Sequence, residues 1–266
     1  MHPYVFQTSF YSLRWENVAI MLGIVAGIWL AVRRAAPEGE AYQDMILDLS
    51  LYLVLAGIVG ARIWEMVFTW NQYVDTPWER LAIWKGGMSI QGSILGGLIA
   101  AVIFAWRRRI RVWALLDILA PPVILGQAIG RIGCLLSGDA FGRPIAQVPW
   151  LPAWLGVTYA PETPAWYAFG PTPLVPAEAF EMIFDLAILA FLLLYKPRRE
   201  ATGRVVLMYA ALYSFARFAL EFLRADSLLI GGLKVAQLLS LAVILLSSLL
   251  LARQYRAPGQ TNKAAG

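Results

Sequence analysis

Apolar runs of membrane-spanning length, separated by short polar stretches, dominate this chain. Seven of them, at residues 16–33, 45–67, 88–106, 112–136, 177–195, 204–223 and 233–252, have the length expected of helices that cross a bilayer. Basic residues gather at alternate breaks: Arg33 and Arg34, then Arg107, Arg108, Arg109 and Arg111, then Lys196, Arg198, Arg199 and Arg204, and last Arg253, Arg256 and Lys263. The positive-inside rule makes these the cytoplasmic loops, so the N-terminus and the segments 68–87, 137–176 and 224–232 face outward and the C-terminus lies inside. The pattern predicts an all-α membrane protein, one polytopic domain over residues 1–255 with a short cytoplasmic tail over 256–266.

The outward segment 137–176 breaks the helical pattern. Eight prolines between Pro144 and Pro176, interleaved with Trp150, Trp154, Trp166 and Tyr167, exclude a long helix there. Aromatic side chains of this kind favour the headgroup level. The segment therefore either shapes an entrance from the outer face or caps the bundle as an ordered loop, and composition leaves both open.

Composition agrees with the pattern: 59% of the 266 residues are apolar and 15% are charged. A net charge of +5 points less to nucleic acid than to headgroups and topology, because the cations sit at the ends of apolar runs. Cys134 is the only cysteine, which excludes an intrachain disulfide, a zinc cluster and a two-cysteine redox motif. The residues before the first run lack a basic n-region, so that run reads as a retained span.

Against this apolar background the intramembrane charges are informative. Arg62, Arg131 and Arg217 fall within or near the ends of spans. A charge at the bilayer centre costs about 2.5–3.5 kcal/mol, so three unpaired ones would cost about 8–10 kcal/mol, comparable with the net stability of a domain. They must be paired, hydrated or near an interface. Glu65, Asp139, Glu178, Glu181, Asp185 and Glu221 are available as partners, and internal ion pairs alone would satisfy several charges.

In the sixth run Tyr209, Tyr213, Arg217, Glu221 and Arg224 recur every three or four residues and share one helical face. This is either a salt-bridge stripe in a packed bundle or the wall of an anion cavity, for which the planar, permanently charged guanidinium is suited. Gly92-x-x-x-Gly96 and Gly126-x-x-x-Gly130 permit close helix packing. Gly130, Gly133, Gly138 and Gly142 flank Arg131, which leaves two readings, packing alone or a cradle of backbone N–H groups that with Arg131 holds a phosphate. An apolar bundle with a cationic interior suggests a phospholipid ligand.

These residues, taken together, resemble the prolipoprotein diacylglyceryl transferases of bacterial inner membranes. The likeness runs through Gly60-Ala-Arg62, Trp84-KGGMSIQ-Gly92, GRIGCLLSGDAFGR from Gly130 to Arg143, Pro176 to Glu181, and Arg217-FALEFL-Arg224, in that order. The resemblance implies transfer of the diacylglyceryl group from phosphatidylglycerol to the lipobox cysteine thiol of a prolipoprotein, with release of glycerol phosphate and no metal or organic cofactor. It implies lipid-phosphate binding by Arg131, with Arg217 near the departing phosphate; Gly130, Gly133, Arg62 and Arg224 complete the candidate substrate-binding set. Cys134 is not the nucleophile, since the acceptor cysteine belongs to the substrate.

Several positions depart from the family pattern. Gln91 stands where the family carries a histidine assigned to deprotonation, and the only histidine here is His2. Glu16 replaces a tyrosine, Cys134 an asparagine, Ser137-Gly-Asp139 the usual N-G-E, and Val175-PAEAF-Glu181 the usual H-P-x-Q-L-Y-E. Asp139 and Glu221 are the candidates for a substitute base, burial raising and neighbouring arginines lowering their pKa. The catalytic set is thus Arg217, Glu221, Asp139 and Gln91. A non-catalytic relative that keeps the phospholipid pocket is the alternative, and a transporter, which calls for symmetric halves, is the weaker third reading.

Overall fold

The computed structural model describes residues 3–7, 12–70, 87–195 and 202–256. Outside them lie His2, most of the predicted 68–87 segment with Trp84, the basic residues Lys196, Arg198 and Arg199, and the tail from residue 257.

Seven long helices occupy the places of the seven apolar runs: α1 (Trp15–Ala35), α2 (Glu40–Phe68), α3 (Ile90–Arg108), α4 (Val112–Ser137), α6 (Ala177–Leu194), α7 (Arg204–Leu220) and α8 (Val235–Arg256), with a six-residue helix α5 (Pro164–Phe169) between the fourth and fifth. Helices α1, α2, α3, α4 and α8 are long and apolar enough to cross a membrane. Two small antiparallel ribbons complete the described structure, β1 (Tyr4–Gln7) with β2 (Ser12–Arg14), and β3 (Leu229–Ile230) with β4 (Leu233–Lys234). The fold is that of an all-α membrane protein.

Burial on the helices is inverted relative to a soluble bundle. On α6 the buried positions include Glu178, Glu181 and Asp185, while Ile183, Phe184, Leu186 and Phe191 are exposed. On α8 Ser240 and Ser247 face inward and Leu239, Leu245, Leu246 and Leu249 outward. Lipid solvates leucine and phenylalanine, whereas a carboxylate must turn to the protein interior.

Two compact units partition the chain, Met1–Leu30 with Leu119–Gly266, and Ala31–Ile118. In the second, α2 and α3 pack through glycine. A Cβ on Gly60 would collide with the Gly92 carbonyl, and one on Gly96 with that of Ala56, so the backbones touch where side chains would hold them apart. In the first unit α1 meets α4 at Gly23 and Gly126, and α4, α6 and α7 share a core of Ala120, Ile124, Ile188, Leu189, Leu192, Val205 and Ala216. The irregular 137–176 segment folds back on the end of α7, where Ile145, Val148 and Val175 bury against Leu220 and Leu223. Its α-helical piece, α5, is capped by Thr163, whose hydroxyl accepts from the Trp166 N–H at 3.3 Å.

Candidate functional site

Three arginines converge on one carboxylate. Glu181, in the second turn of α6, is 5% exposed. Its Oε1 accepts from Arg217 Nη1 at 2.8 Å and from Arg224 Nη1 at 3.0 Å, and its Oε2 lies 2.8 Å from Arg131 Nη2. The Arg131 contact is an ion pair without hydrogen-bond alignment, since Oε2 accepts no aligned bond. Arg217 also pairs with Glu221 at 3.0 Å, while Arg224 grips Asp226 with Nε at 2.9 Å and with Nη2. Three cations thus face three carboxylates in direct contact, which is how an apolar bundle holds charges it could not hold singly.

Each side chain arrives from a different part of the fold. Arg131 comes from α4, Glu181 from α6 and Arg217 from the last turn of α7. The predicted helical ladder ends sooner than expected. Helix α7 stops at Leu220, Glu221 keeps helical backbone angles as its C-cap and so preserves the i,i+4 pair with Arg217, and Arg224 lies beyond, bridged to Gly142. The ion pairs rather than the helix hold Arg224 in the cluster. Further along the α7 face, Tyr209 donates to Gln127 Oε1 at 2.8 Å.

The reading of Gly130 and Gly133 as a cradle of backbone N–H groups is corrected. Both residues are inside α4, where the helix ladder uses their N–H groups. Gly133 instead lets α1 approach, because a Cβ there would come 2.8 Å from Glu16 Cα. Gly130 has nothing within 4 Å of where its Cβ would stand.

Asp139 follows α4, accessible at its surface, and takes a hydrogen bond from the Cys134 thiol. Loss of hydration in the crowded surroundings raises its pKa; the Cys134 bond and the charges of Arg131 and Arg14 partly offset this. Glu16 adds a second carboxylate within electrostatic reach of Asp139, and Arg14 stands 4.0 Å from it. Glu178, on the buried face of α6, accepts from the Tyr159 hydroxyl at 2.9 Å; burial and the neighbouring Glu178 push that phenol's pKa up, so it stays a donor.

Arg62 and Gln91 belong to the second unit. Arg62 is buried and donates to the Gly87 carbonyl at 2.8 Å. Gln91 is exposed in the first turn of α3 and accepts from the Ser89 hydroxyl at 2.6 Å.

Sequence reasoning counted Glu181 as one of several possible partners and missed it as the centre of the cluster. The available signal was the carboxylate run Glu178, Glu181, Asp185, which puts three costly groups on one face of an otherwise apolar helix.

Buried ion pairs inside a lipid-facing helical bundle, joined by arginines able to grip a tetrahedral anion, define a membrane protein with a polar, phosphate-compatible interior. A family model described as prolipoprotein diacylglyceryl transferase matches residues 3–253, and the chain belongs to that family. Among its relatives named phosphatidylglycerol–prolipoprotein diacylglyceryl transferase, the one from Thermosynechococcus vestitus is 37% identical over 254 residues, covering 94% of this chain and 91% of its own length. That from Gloeobacter violaceus is 36% identical over 249 residues, 92% of this chain and 90% of the relative. The Limosilactobacillus reuteri protein is 34% identical over 258 residues, with 94% and 90% covered.

Proposed function

We propose that the protein moves the diacylglyceryl group of phosphatidylglycerol onto the lipobox cysteine thiol of a prolipoprotein, releasing glycerol phosphate. The convergence of Arg131, Arg217 and Arg224 on Glu181 carries this reading. A carboxylate shared by three guanidinium groups marks a position where a phosphodiester can bind by exchanging one anion for another. Arg131 takes the lipid phosphate, Gly130 before it presents no side chain, and Gly133 keeps α1 close. Arg217 stabilises the negative charge that grows on the departing phosphate, and Arg224 supports both through Glu181.

In the chemical step the acceptor thiolate attacks the glyceryl carbon that bears the phosphate. A C–S bond forms, the C–O bond breaks, and its electron pair leaves on the phosphate oxygen. The thiol proton goes to Asp139, whose raised pKa makes it a better base than an ordinary aspartate. Glu221, fully buried and paired with Arg217, orients that arginine rather than accepting the proton. Gln91 lacks basicity and accepts from the Ser89 hydroxyl, and Arg62 fixes the chain that leads into α3.

The same reading makes residues 1–255 one membrane domain, all seven long helices spanning the bacterial plasma membrane with the N-terminus outward. The basic residues of alternate loops support that orientation. Gln91 in the place of a basic residue favours a second reading, a relative that binds the lipid without turnover. Purified protein in vesicles of phosphatidylglycerol, incubated with a lipobox peptide, separates the two. A peptide adduct with equal release of glycerol phosphate, both lost in Arg131→Ala, supports transfer; lipid binding with neither product refutes it.

A further inference from the structure

Beside the arginine cluster lies a cleft of about 280 Å³ lined by Arg143, Gln147, Phe169, Arg224, Ser227 and Lys234. Its cations are unevenly compensated. Arg224 is committed to Glu181 and Asp226, but among the described residues no carboxylate pairs with the exposed Arg143 guanidinium. Lys234 spends its ammonium protons on the backbone carbonyls of Glu221 and Arg224. Two positive charges therefore face one cavity without an acidic contact. Ser227 adds a buried hydroxyl with no hydrogen-bond partner. Burial lowers the pKa of Lys234 and the charges of Arg143 and Arg217 lower it further, against the pull of Glu221 and Asp226.

The walls are held by backbone bonds rather than by flexible side chains. Arg143 N–H donates to the Leu223 carbonyl at 2.8 Å, Val175 N–H to the Arg143 carbonyl at 2.9 Å, and Gly142 N–H to the Val175 carbonyl at 3.0 Å. The hairpin of β3 and β4 turns at Gly231 and Gly232, whose φ angles of 59° and 81° suit a tight two-residue connection, and delivers Lys234 to the cleft. The volume lies just below the range typical of drug-sized ligands, which suits a small polar anion better than a two-chain lipid.

We propose that this cleft is a second phosphate site, which receives the phosphomonoester of glycerol phosphate after it leaves the lipid. The assignment rests on the transferase reading. Arg224 lines the cleft and also contacts Glu181, so a phosphate released among Arg131 and Arg217 passes from the inner cluster to Arg143 and Lys234 across a single guanidinium. Gln147 and the Ser227 hydroxyl supply hydrogen bonds to the glycerol oxygens.

The test is binding of radiolabelled glycerol phosphate to the full-length protein in phosphatidylcholine nanodiscs. The wild type binds saturably; Arg143→Gln raises Kd at least tenfold, Arg143→Lys recovers much of the affinity, and Lys234→Gln weakens binding with the melting temperature checked in each. In turnover assays Arg143→Gln relieves inhibition by added glycerol phosphate by the same factor. No saturable binding in the wild type, or binding indifferent to Arg143→Gln, overturns the proposal. If Arg143→Gln instead weakens only the affinity for phosphatidylglycerol vesicles, the cleft reads the lipid headgroup and the product assignment is wrong. Arg143-dependent binding without any turnover keeps the phosphate site and removes the transferase reading.

Discussion

Glu181 on α6 and Arg217 on α7 are joined by a 2.8 Å hydrogen bond at a carboxylate that also holds Arg131 and Arg224. Removing the carboxylate leaves three guanidinium groups facing one another. Breaking a buried pair in this way costs about 3–5 kcal/mol. Glu181→Ala is therefore expected to lower the melting temperature in detergent clearly and to abolish turnover. Glu181→Gln keeps the shape but not the charge and falls between.

Arg131 and Arg217 should separate in steady-state kinetics. Arg131→Lys keeps a charge but loses the planar fork that matches a phosphate, so KM for phosphatidylglycerol rises about tenfold or more while kcat falls less. Arg217→Lys acts on the charge that develops on the leaving group and lowers kcat mainly, by about 100-fold. Initial rates across a lipid titration measure both.

Asp139 predicts a pH signature of definite sign. A base must be ionised, so kcat/KM falls as pH drops through the raised pKa of Asp139, and the acid limb lies higher than an ordinary aspartate would put it. Stability runs the other way. A carboxyl whose pKa is raised by folding binds its proton more tightly in the native state, so its favourable contribution is present at low pH and is lost as pH rises through the folded pKa. Asp139→Asn should remove the acid limb and lower the rate by about 100–10,000-fold while leaving phosphatidylglycerol binding in place.

The glycine contacts of the second unit make a stability prediction that has its own control. Gly92→Val drives side-chain atoms into the Gly60 carbonyl and Trp64 Cβ, and should lower the melting temperature or prevent folding. Gly97, also on α3, has nothing within 4 Å of its Cβ position. Gly97→Ala should be neutral or should stabilise by about 0.5–1 kcal/mol, as helix propensity requires. Thermal unfolding of the pair measures the difference.

The seven apolar runs coincide with seven long helices because a bilayer allows a long apolar segment few alternatives: its backbone must satisfy its own hydrogen bonds. The same constraint made Arg62, Arg131 and Arg217 conspicuous, since a charge in an apolar run is costly enough to need a reason. Sequence alone also carried the irregularity of 137–176, through its prolines, and the close packing at Gly92 and Gly96.

Which carboxylate each arginine would meet was not legible. Arg131 and Glu181 are fifty residues apart in sequence, on helices whose facing surfaces are chosen by packing between them, and no local period encodes that choice. The N–H cradle at Gly130 and Gly133 failed for a related reason: α4 runs on to Ser137, so the helix ladder claims those donors before a ligand can. The end of α7 at Leu220 likewise moved Arg224 off the helical face, and its ion pairs with Glu181 and Asp226 hold it in the cluster. Hydrophobic patterning thus determined the long helices and marked charges that needed partners. Tertiary packing alone decided that Arg131 and Arg217 share Glu181 with Arg224, because an ion pair is fixed by where side chains meet in space and not by their spacing along the chain.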